Sequence, residues 1–342
     1  MGDTTISWTD KVWNPTRGCA RVSPGCERCY AETFASRFSG PGQPYEGLVT
    51  LGKRWNRVGR FIADKLEEPL HWRKPARIFV NSMSDLFYEA FTDEEIAAVF
   101  GVMAVCPQHT FQVLTKRPER ARKWFEWVSR QAETCNAGRG MNEAAFCLCH
   151  AQREAKQAPS LSRNAGETCR RAWPLPNVWI GASVEDQQRA DERIPHLLRI
   201  PAAVRFVSHE PALGPVDFGR WLNWPWWCER CQVVPERNAE THLHCHDEGA
   251  IVRRSINWLI VGGESGPNAR PFDVAWAHSA VEQCRAAGVP CFVKQIGAKP
   301  YQWVSEPRGM ERLDLDLLDK KGGEMSEWVE ELRVRQFPEV RP

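Results

Sequence analysis

Six short apolar runs, each ending in small, hydroxyl or charged residues, constrain the fold of this 342-residue chain more than any other feature. They are ARIFVNSMSD (76–85), TFQVLTKRPE (110–119), NVWIGASVED (177–186), AVRFVSHEPA (203–212), INWLIVGGES (256–265) and VPCFVKQIGA (289–298). Each opens on β-branched and aromatic residues, the composition of a strand. Helix-like stretches lie at 92–105, 117–130, 185–199 and 273–288. Strands alternating with helices predict βα units around a parallel sheet. The runs are apolar throughout rather than alternating, which suits strands covered on both faces. A further run, ISWTDKVWNP (6–15), supplies one more strand or strand-like entry. Thr92 with Glu95 forms a capping box at the start of the helix 92–105.

The expected architecture is a partial (βα)-type, TIM-like barrel over 1–299, interrupted by two insertions. One spans about 129–173 and holds four cysteines; the other spans about 219–255 and holds three cysteines and three histidines. Both read as insertions into barrel loops. The charged tail 300–342 reads as a covering segment, with LDKKGG (318–323) as a turn signal. In such barrels the reacting groups stand at the C-terminal ends of the strands. That rule places Ser82, Ser84, Asp85, Thr115, Lys116, Arg117, Ser183, Glu185, His209, Glu210, Glu264, Lys294 and Gln295 around one rim. Some of these Ser and Asp residues are expected only to cap helices.

Lys and Arg exceed Asp and Glu by two over the whole chain. That balance excludes a histone-like basic protein and an acidic solvating one, while leaving room for a local basic groove. There is no apolar run of about 18 residues and no signal-peptide pattern, so a soluble cytoplasmic protein without a membrane partner is expected. Thirteen cysteines, an odd number, then suit metal ligands or catalytic groups better than a disulfide framework. Cys106, Cys284 and Cys291 sit in apolar runs and are expected as buried core thiols. Sixteen tryptophans exceed what a core needs, so some are expected on a binding face.

The sharpest motif is NPTRGCARVSPGCERCYAE (14–32), where Cys19, Cys26 and Cys29 make a C-x6-C-x2-C pattern in a Gly/Pro-rich loop. Four thiolates would suggest a closed zinc or cluster site. Three leave a position open. On a cubane cluster the remaining iron could take S-adenosylmethionine through its amino and carboxylate groups; on zinc a distant fourth ligand would close the site. Spacing alone leaves both readings standing.

The segment resembles the cluster loop of radical S-adenosylmethionine enzymes, in particular the branch containing spore photoproduct lyase. Asn14, Pro15, Arg17, Gly18 and Cys19 match its start, and Cys26, Cys29, Tyr30 and Ala31 its finish. Six residues separate the first two cysteines here, where the common pattern has three. The whole chain also resembles a phage- and prophage-associated three-cysteine-motif family of unknown function. ISWTDKVWNPTRGC, SPGCERCYAE, LTKRPER, VWIGASVEDQ, EPALGPVD, VGGESGPNARP and ELRVRQFP carry that likeness. The resemblance implies a barrel of the radical S-adenosylmethionine kind with a 4Fe-4S cluster on Cys19, Cys26 and Cys29. It implies that Tyr30 lies near the cofactor's adenine and that Ser82 and Asp85 stand at a polar strand end. Ser183 and Glu185 on the rim join them as cofactor-binding candidates. The branch's Gly-Gly-Glu follows an earlier strand; here Gly262, Gly263 and Glu264 come much later, to bind cofactor or substrate or to make a tight turn.

Cys228 and Cys231, followed by His242, His244, Cys245 and His246, have zinc-ligand character, with His242 or His246 joining the three cysteines. Zinc would stabilise an insert that has little core of its own. Cys135, Cys147, Cys149 and Cys169, with His150 nearby, are a weaker metal candidate because Cys-x-Cys is less usual for zinc.

Two stretches are locally basic. Residues 52–77 hold eight Lys/Arg against three acids, with Trp55 and Trp72 interleaved; 115–124 adds Lys116, Arg117, Arg120, Arg122 and Lys123. Basic residues among aromatics suit a nucleic-acid backbone and unstacked bases, although a solvated helix face is the ordinary reading of a charge run. The expected function is therefore a radical S-adenosylmethionine enzyme acting on a nucleic-acid or nucleotide substrate, with an external electron donor. The alternatives are the same scaffold using its cluster without radical cleavage, a non-catalytic zinc protein that binds nucleic acid, and a phage or defence component that depends on a neighbour-encoded companion protein.

Overall fold

The computed structural model describes residues 4–135, 143–154, 173–222, 226–228, 251–253, 255–266, 268–307 and 309–339. The chain divides into two compact units, Met1–Val184 with Ile200–Ala203, and Glu185–Arg199 with Val204–Pro342.

The first unit carries four parallel strands: β1 (Lys11–Trp13), β2 (Arg77–Val80), β3 (Thr110–Thr115) and β4 (Val178–Ser183). They pair in chain order, with Lys11 opposite Ile78, Arg77 opposite Thr110, and Phe111 opposite Val178. The second unit carries three: β5 (Val204–His209), β6 (Trp258–Gly262) and β7 (Cys291–Gln295). Here Trp258 pairs with Phe206 and Leu259 with Cys291, again in parallel. Every residue of β4, β5 and β6 is buried, as their unbroken apolar sequence predicts for strands covered on both faces. Each expected strand is present, and the α/β alternation is compatible with a partial (βα) barrel.

Among the described residues six helices have eight residues or more: α1 (Tyr30–Arg37), α2 (Asp93–Val105), α3 (Pro118–Cys135) and α4 (Glu143–Glu154) in the first unit, and α5 (Gln187–Arg199) and α6 (Val274–Ala287) in the second. The capping box is real: Glu95 N donates to Thr92 Oγ1 (3.1 Å) and Thr92 N to Glu95 Oε2 (2.9 Å). α2 is buried along nearly its whole length, and α4 packs along it. This helix is the main departure from the sequence reading, which takes 129–173 as a polar insertion. Ala144, Ala145, Phe146, Cys147, Leu148 and Ala151 are all buried. The two helices approach so closely that a Cβ on Gly101 would lie 2.3 Å from the Cys147 carbonyl oxygen.

Cys106, Cys284 and Cys291 are buried as expected. The LDKKGG turn forms around Asp319, whose carboxylate accepts from the amides of Lys321, Gly323 and Glu324. Beyond it the tail covers the free edge of β7. Val293 N donates to Val334 O (2.8 Å), Gln336 N to Cys291 O (2.9 Å), and Trp258 Nε1 to Gln336 O (2.8 Å). Among the described residues no helix is long and apolar enough to cross a membrane.

Candidate metal and cofactor site

Two polar loops interlock in the first unit. After β1, Asn14 Oδ1 accepts from Ser82 Oγ (3.2 Å) and from Met83 N (3.0 Å), and Thr16 Oγ1 and Ser84 Oγ share a hydrogen bond of 2.6 Å. The NPTRGC segment is thereby pinned to the NSMSD end of β2. Gly18, at φ +88°, comes next, and a Cβ there would meet the Val58 carbonyl oxygen at 2.1 Å. Only glycine permits that approach, so the residue before Cys19 is fixed by the segment that crosses it.

Pro24–Cys26 then forms one short 3-10 turn and Cys29 caps the N-terminus of α1. Cys19 is half-buried. Burial raises its thiol pKa to about 12, aided by Asp85, opposed by Arg117, and raised further by Cys29 and Cys26. Burial likewise raises Cys29, against the amides of Glu32 and Ala31 that turn towards its sulfur and favour the thiolate. Cys19 and Cys29 thus both lie within electrostatic reach of Cys26. Among the described residues no three Cys, His, Asp or Glu side chains converge closely enough to hold a single ion. A cluster of several irons sets a different requirement, since each thiolate then meets its own iron.

Arg117, just beyond β3, ties this loop to the sheet. Its guanidinium donates to Ala20 O (2.9 Å), Asp85 Oδ2 (3.2 Å) and Glu89 Oε2 (2.9 Å), lies 3.8 Å from Cys19 Sγ, and stands over the Tyr88 ring. Burial works against its charge, yet Asp85, Cys19 and Glu89 more than offset that, so it stays protonated. Asp85 is committed within the protein: its oxygens also accept from Phe87 N, Thr115 Oγ1 and Lys116 N. It positions Arg117. Lys116 reaches across to Ser183 Oγ, and Tyr30 donates to the Ser82 carbonyl while its ring stays largely exposed. Tyr30, Ser82, Asp85 and Ser183 therefore belong to the same unit as the cysteines.

The remaining cofactor candidates lie in the second unit. Glu185 is fully buried against Arg193 (2.9 Å). Glu264 accepts from Arg270 N (2.9 Å), Nε (3.1 Å) and Nη2, which occupies its carboxylate within the protein. A Cβ on Gly263 would come within 2.9 Å of both Ile296 O and the Phe272 ring, and one on Gly262 within 3.2 Å of Gln295 O. In this fold the Gly-Gly-Glu serves close chain packing and an ion pair. Glu210 pairs with Lys294 and accepts from Gln295 in the same unit.

The two basic stretches fare differently. In 115–124 every cation is engaged: Lys116 with Ser183, Arg117 with Asp85 and Glu89, Arg120 with Asp93, Arg122 with Glu126, Lys123 with Glu119. In 52–77, Trp55 is buried and Trp72 is half-buried, so neither ring is open for stacking. Among the described residues the exposed rings are Tyr30, Phe34 and Phe38 in one run of the first unit and Trp303 in the second; the sequence reading did not single out the first three as a group. Their i, i+4, i+8 spacing was the available signal.

Of the insert candidates, Cys147 is a buried core residue, with its thiol pKa pushed well up by burial, and Cys149 is half-buried. The Cys135 side chain and Cys169 lie outside the described residues, as do the Cys228 side chain, Cys231, His242, His244, Cys245 and His246. The backbone of Trp226–Cys228 does pair, antiparallel, with Ile251–Arg253.

A family model described as Protein of unknown function (DUF5131) matches residues 3–327. No curated protein and no solved structure matches the chain.

Proposed function

Since the chain belongs to the family described as Protein of unknown function (DUF5131), we propose its activity from its own residues: a radical S-adenosylmethionine enzyme with a 4Fe-4S cluster on Cys19, Cys26 and Cys29. The observation that carries this reading is three cysteines on one loop, with the buried Arg117 guanidinium 3.8 Å from Cys19 Sγ and bonded to Ala20 O. Soft thiolates are the donors such a cluster takes, and a fourth protein thiolate is not among the loop's residues, which leaves one iron for the cofactor. When bound, cluster and cofactor supply one-electron cleavage of the sulfonium and a 5′-deoxyadenosyl radical that takes hydrogen from a substrate.

The chain's own groups have distinct tasks. Arg117 offsets the negative charge of the Cys19 thiolate and, through Ala20 O, holds the loop in place. The Glu32 and Ala31 amides at the start of α1 do the same for Cys29. Lys116, with Ser183, is the cation suited to a carboxylate such as the cofactor's amino-acid end. Tyr30 presents its ring at the mouth of the loop. Electrons come from an external donor.

Anaerobic purification with iron, sulfide and zinc counts tests the assignment, on wild type and on a Cys19→Ala/Cys26→Ala/Cys29→Ala variant. About four irons and four sulfides per chain, lost in the variant, are expected, followed by 5′-deoxyadenosine when reductant and cofactor are added. Zinc alone after anaerobic reconstitution would replace this reading with that of a zinc protein.

A further inference from the structure

Beyond Tyr30, the first unit carries a surface that the cluster chemistry does not use. Over residues 17–60 there are eight Lys/Arg against Glu27, Glu32 and Glu46, in a chain whose total balance is only +2. Within this segment Tyr30 (60% exposed), Phe34 (45%) and Phe38 (41%) line up on the outward side of α1, while Ala31, Glu32 and Ala35 face inward. Phe34 and Phe38 lean on each other at 5.0 Å, centroid to centroid, so that with Tyr30 they form an apolar row on the surface that is costly unless something covers it.

The rings lead to a cleft. Phe34 lies 6.3 Å from Tyr45, and Tyr45 lies 6.4 Å from Trp55, centroid to centroid. Trp55 lines an open cleft of about 280 Å³ together with Arg21, Glu32, Arg54 and Arg57. Glu32 is occupied: it accepts from Arg21 Nε (3.2 Å) and from Trp55 N (2.8 Å). Arg54 reaches it only at 3.9 Å, and the exposed Arg57 side chain has no partner among the described residues. Arg57 also sits in the left-handed region, φ +65°, with its carbonyl held by Tyr88 Oη (2.6 Å). A non-glycine residue held there by its neighbours is a constraint that the surrounding structure maintains. Two guanidinium groups with spare donors, linked to the exposed rings through the buried Tyr45 and Trp55, match phosphates while the rings match unstacked bases.

We propose that this face binds single-stranded nucleic acid, with bases stacking on Tyr30, Phe34 and Phe38 and phosphates taken by Arg54 and Arg57. The proposal rests on the reading given under Proposed function and deepens it by naming the substrate class; it shares Tyr30 with that reading and otherwise stands on Phe34, Phe38, Arg54 and Arg57. A single strand is favoured over a duplex because stacking requires bases already out of the helix, and over an acidic protein because carboxylates would engage the guanidinium groups and leave the exposed rings uncovered. The same loop carries Cys19, Cys26 and Cys29, so a bound strand lies against the residues assigned to the cluster.

The test is fluorescence anisotropy of a labelled single-stranded DNA and of an RNA of the same sequence, with the matching duplex and polyglutamate as competitors. It uses the full chain without reductant or cofactor, so that loss of cluster and loss of binding are read separately. Single strands are expected to bind more tightly than duplex. Phe34→Ala with Phe38→Ala should weaken binding at least about fivefold. Arg54→Gln with Arg57→Gln should flatten the log–log salt dependence by about 1.4. All four side chains are exposed at least in part, and matching circular dichroism verifies that the variants fold. No binding at low salt, or binding unchanged in both variants, overturns the proposal. Competition by polyglutamate equal to that of nucleic acid overturns it in favour of an acidic protein partner.

Discussion

Replacing Arg117 by alanine would strand Asp85, a buried carboxylate that depends on the guanidinium for its charge partner. Removing one member of a buried pair costs about 3–5 kcal/mol, and urea denaturation of the metal-free chain should show a loss of that order. Arg117→Lys keeps the charge but not the fork that spans Ala20, Asp85 and Glu89, so its loss should be smaller. Unchanged stability in both would mean that Arg117 does not tie loop to sheet. A second residue gives a pH dependence. His109 is buried between the Trp72 and Phe111 rings, its Nε2 donating to Pro69 O (3.3 Å), and burial lowers its pKa below 6.5. The unfolded chain therefore takes up the proton more readily than the folded one. Stability is complete above pH 6.5 and falls as the pH drops below it. Denaturation midpoints at pH 7 and at mildly acidic pH should show this fall in wild type and less of it in His109→Gln. At this scale the sequence places residues at the strand ends but leaves their commitments hidden. Spacing cannot tell that Asp85 and Glu264 are taken by arginines, because those partners come from elsewhere along the chain or from a turn.

Among the elements, the strands were legible because each bears an unbroken apolar run, and α2 because its capping box and length agree. α4 was not. Its buried face includes Cys147, and a sequence that places cysteines two apart invites a ligand reading where the fold uses the thiol as a small apolar group. The close crossing of α2 and α4 yields a direct check. Gly101→Ala forces a methyl against the Cys147 carbonyl and should destabilise by about 1–3 kcal/mol, whereas Gly42→Ala, in open space but at φ +72°, should cost only the strain of its backbone. Equal stability of wild type and Gly101→Ala would show that the helices can separate without loss. The tail offers another. Truncation after Leu332 removes Val334 and Gln336 and leaves the β7 edge with unpaired amides and carbonyls. Light scattering should report aggregation of the truncated chain at concentrations where the full chain stays clear.

For the molecule as a whole, cluster loading and stability are linked. A group that binds only the folded chain stabilises it by mass action, and the three cysteines sit in the segment that also carries the exposed cations. Trypsin should therefore cut within 17–60 faster in the metal-free chain than in the iron-loaded one; equal rates would separate the loop's order from its metal. The α/β class was readable from periodicity alone. The basic and aromatic face was not, since the sequence advertises Trp55 and Trp72, which the fold withdraws, and exposes instead phenylalanines that look like core residues until α1 is seen to turn them outward.

The pairing of the tail with β7 also bears on synthesis. The ribosome delivers β7 before it delivers Val334 and Gln336, so the strand leaves the exit tunnel with one edge still open. Until those residues emerge, the second unit has a template for pairing with any neighbouring nascent chain. Any delay that holds the chain with β7 emerged and Val334 not yet emerged lengthens the interval in which that edge can mispair.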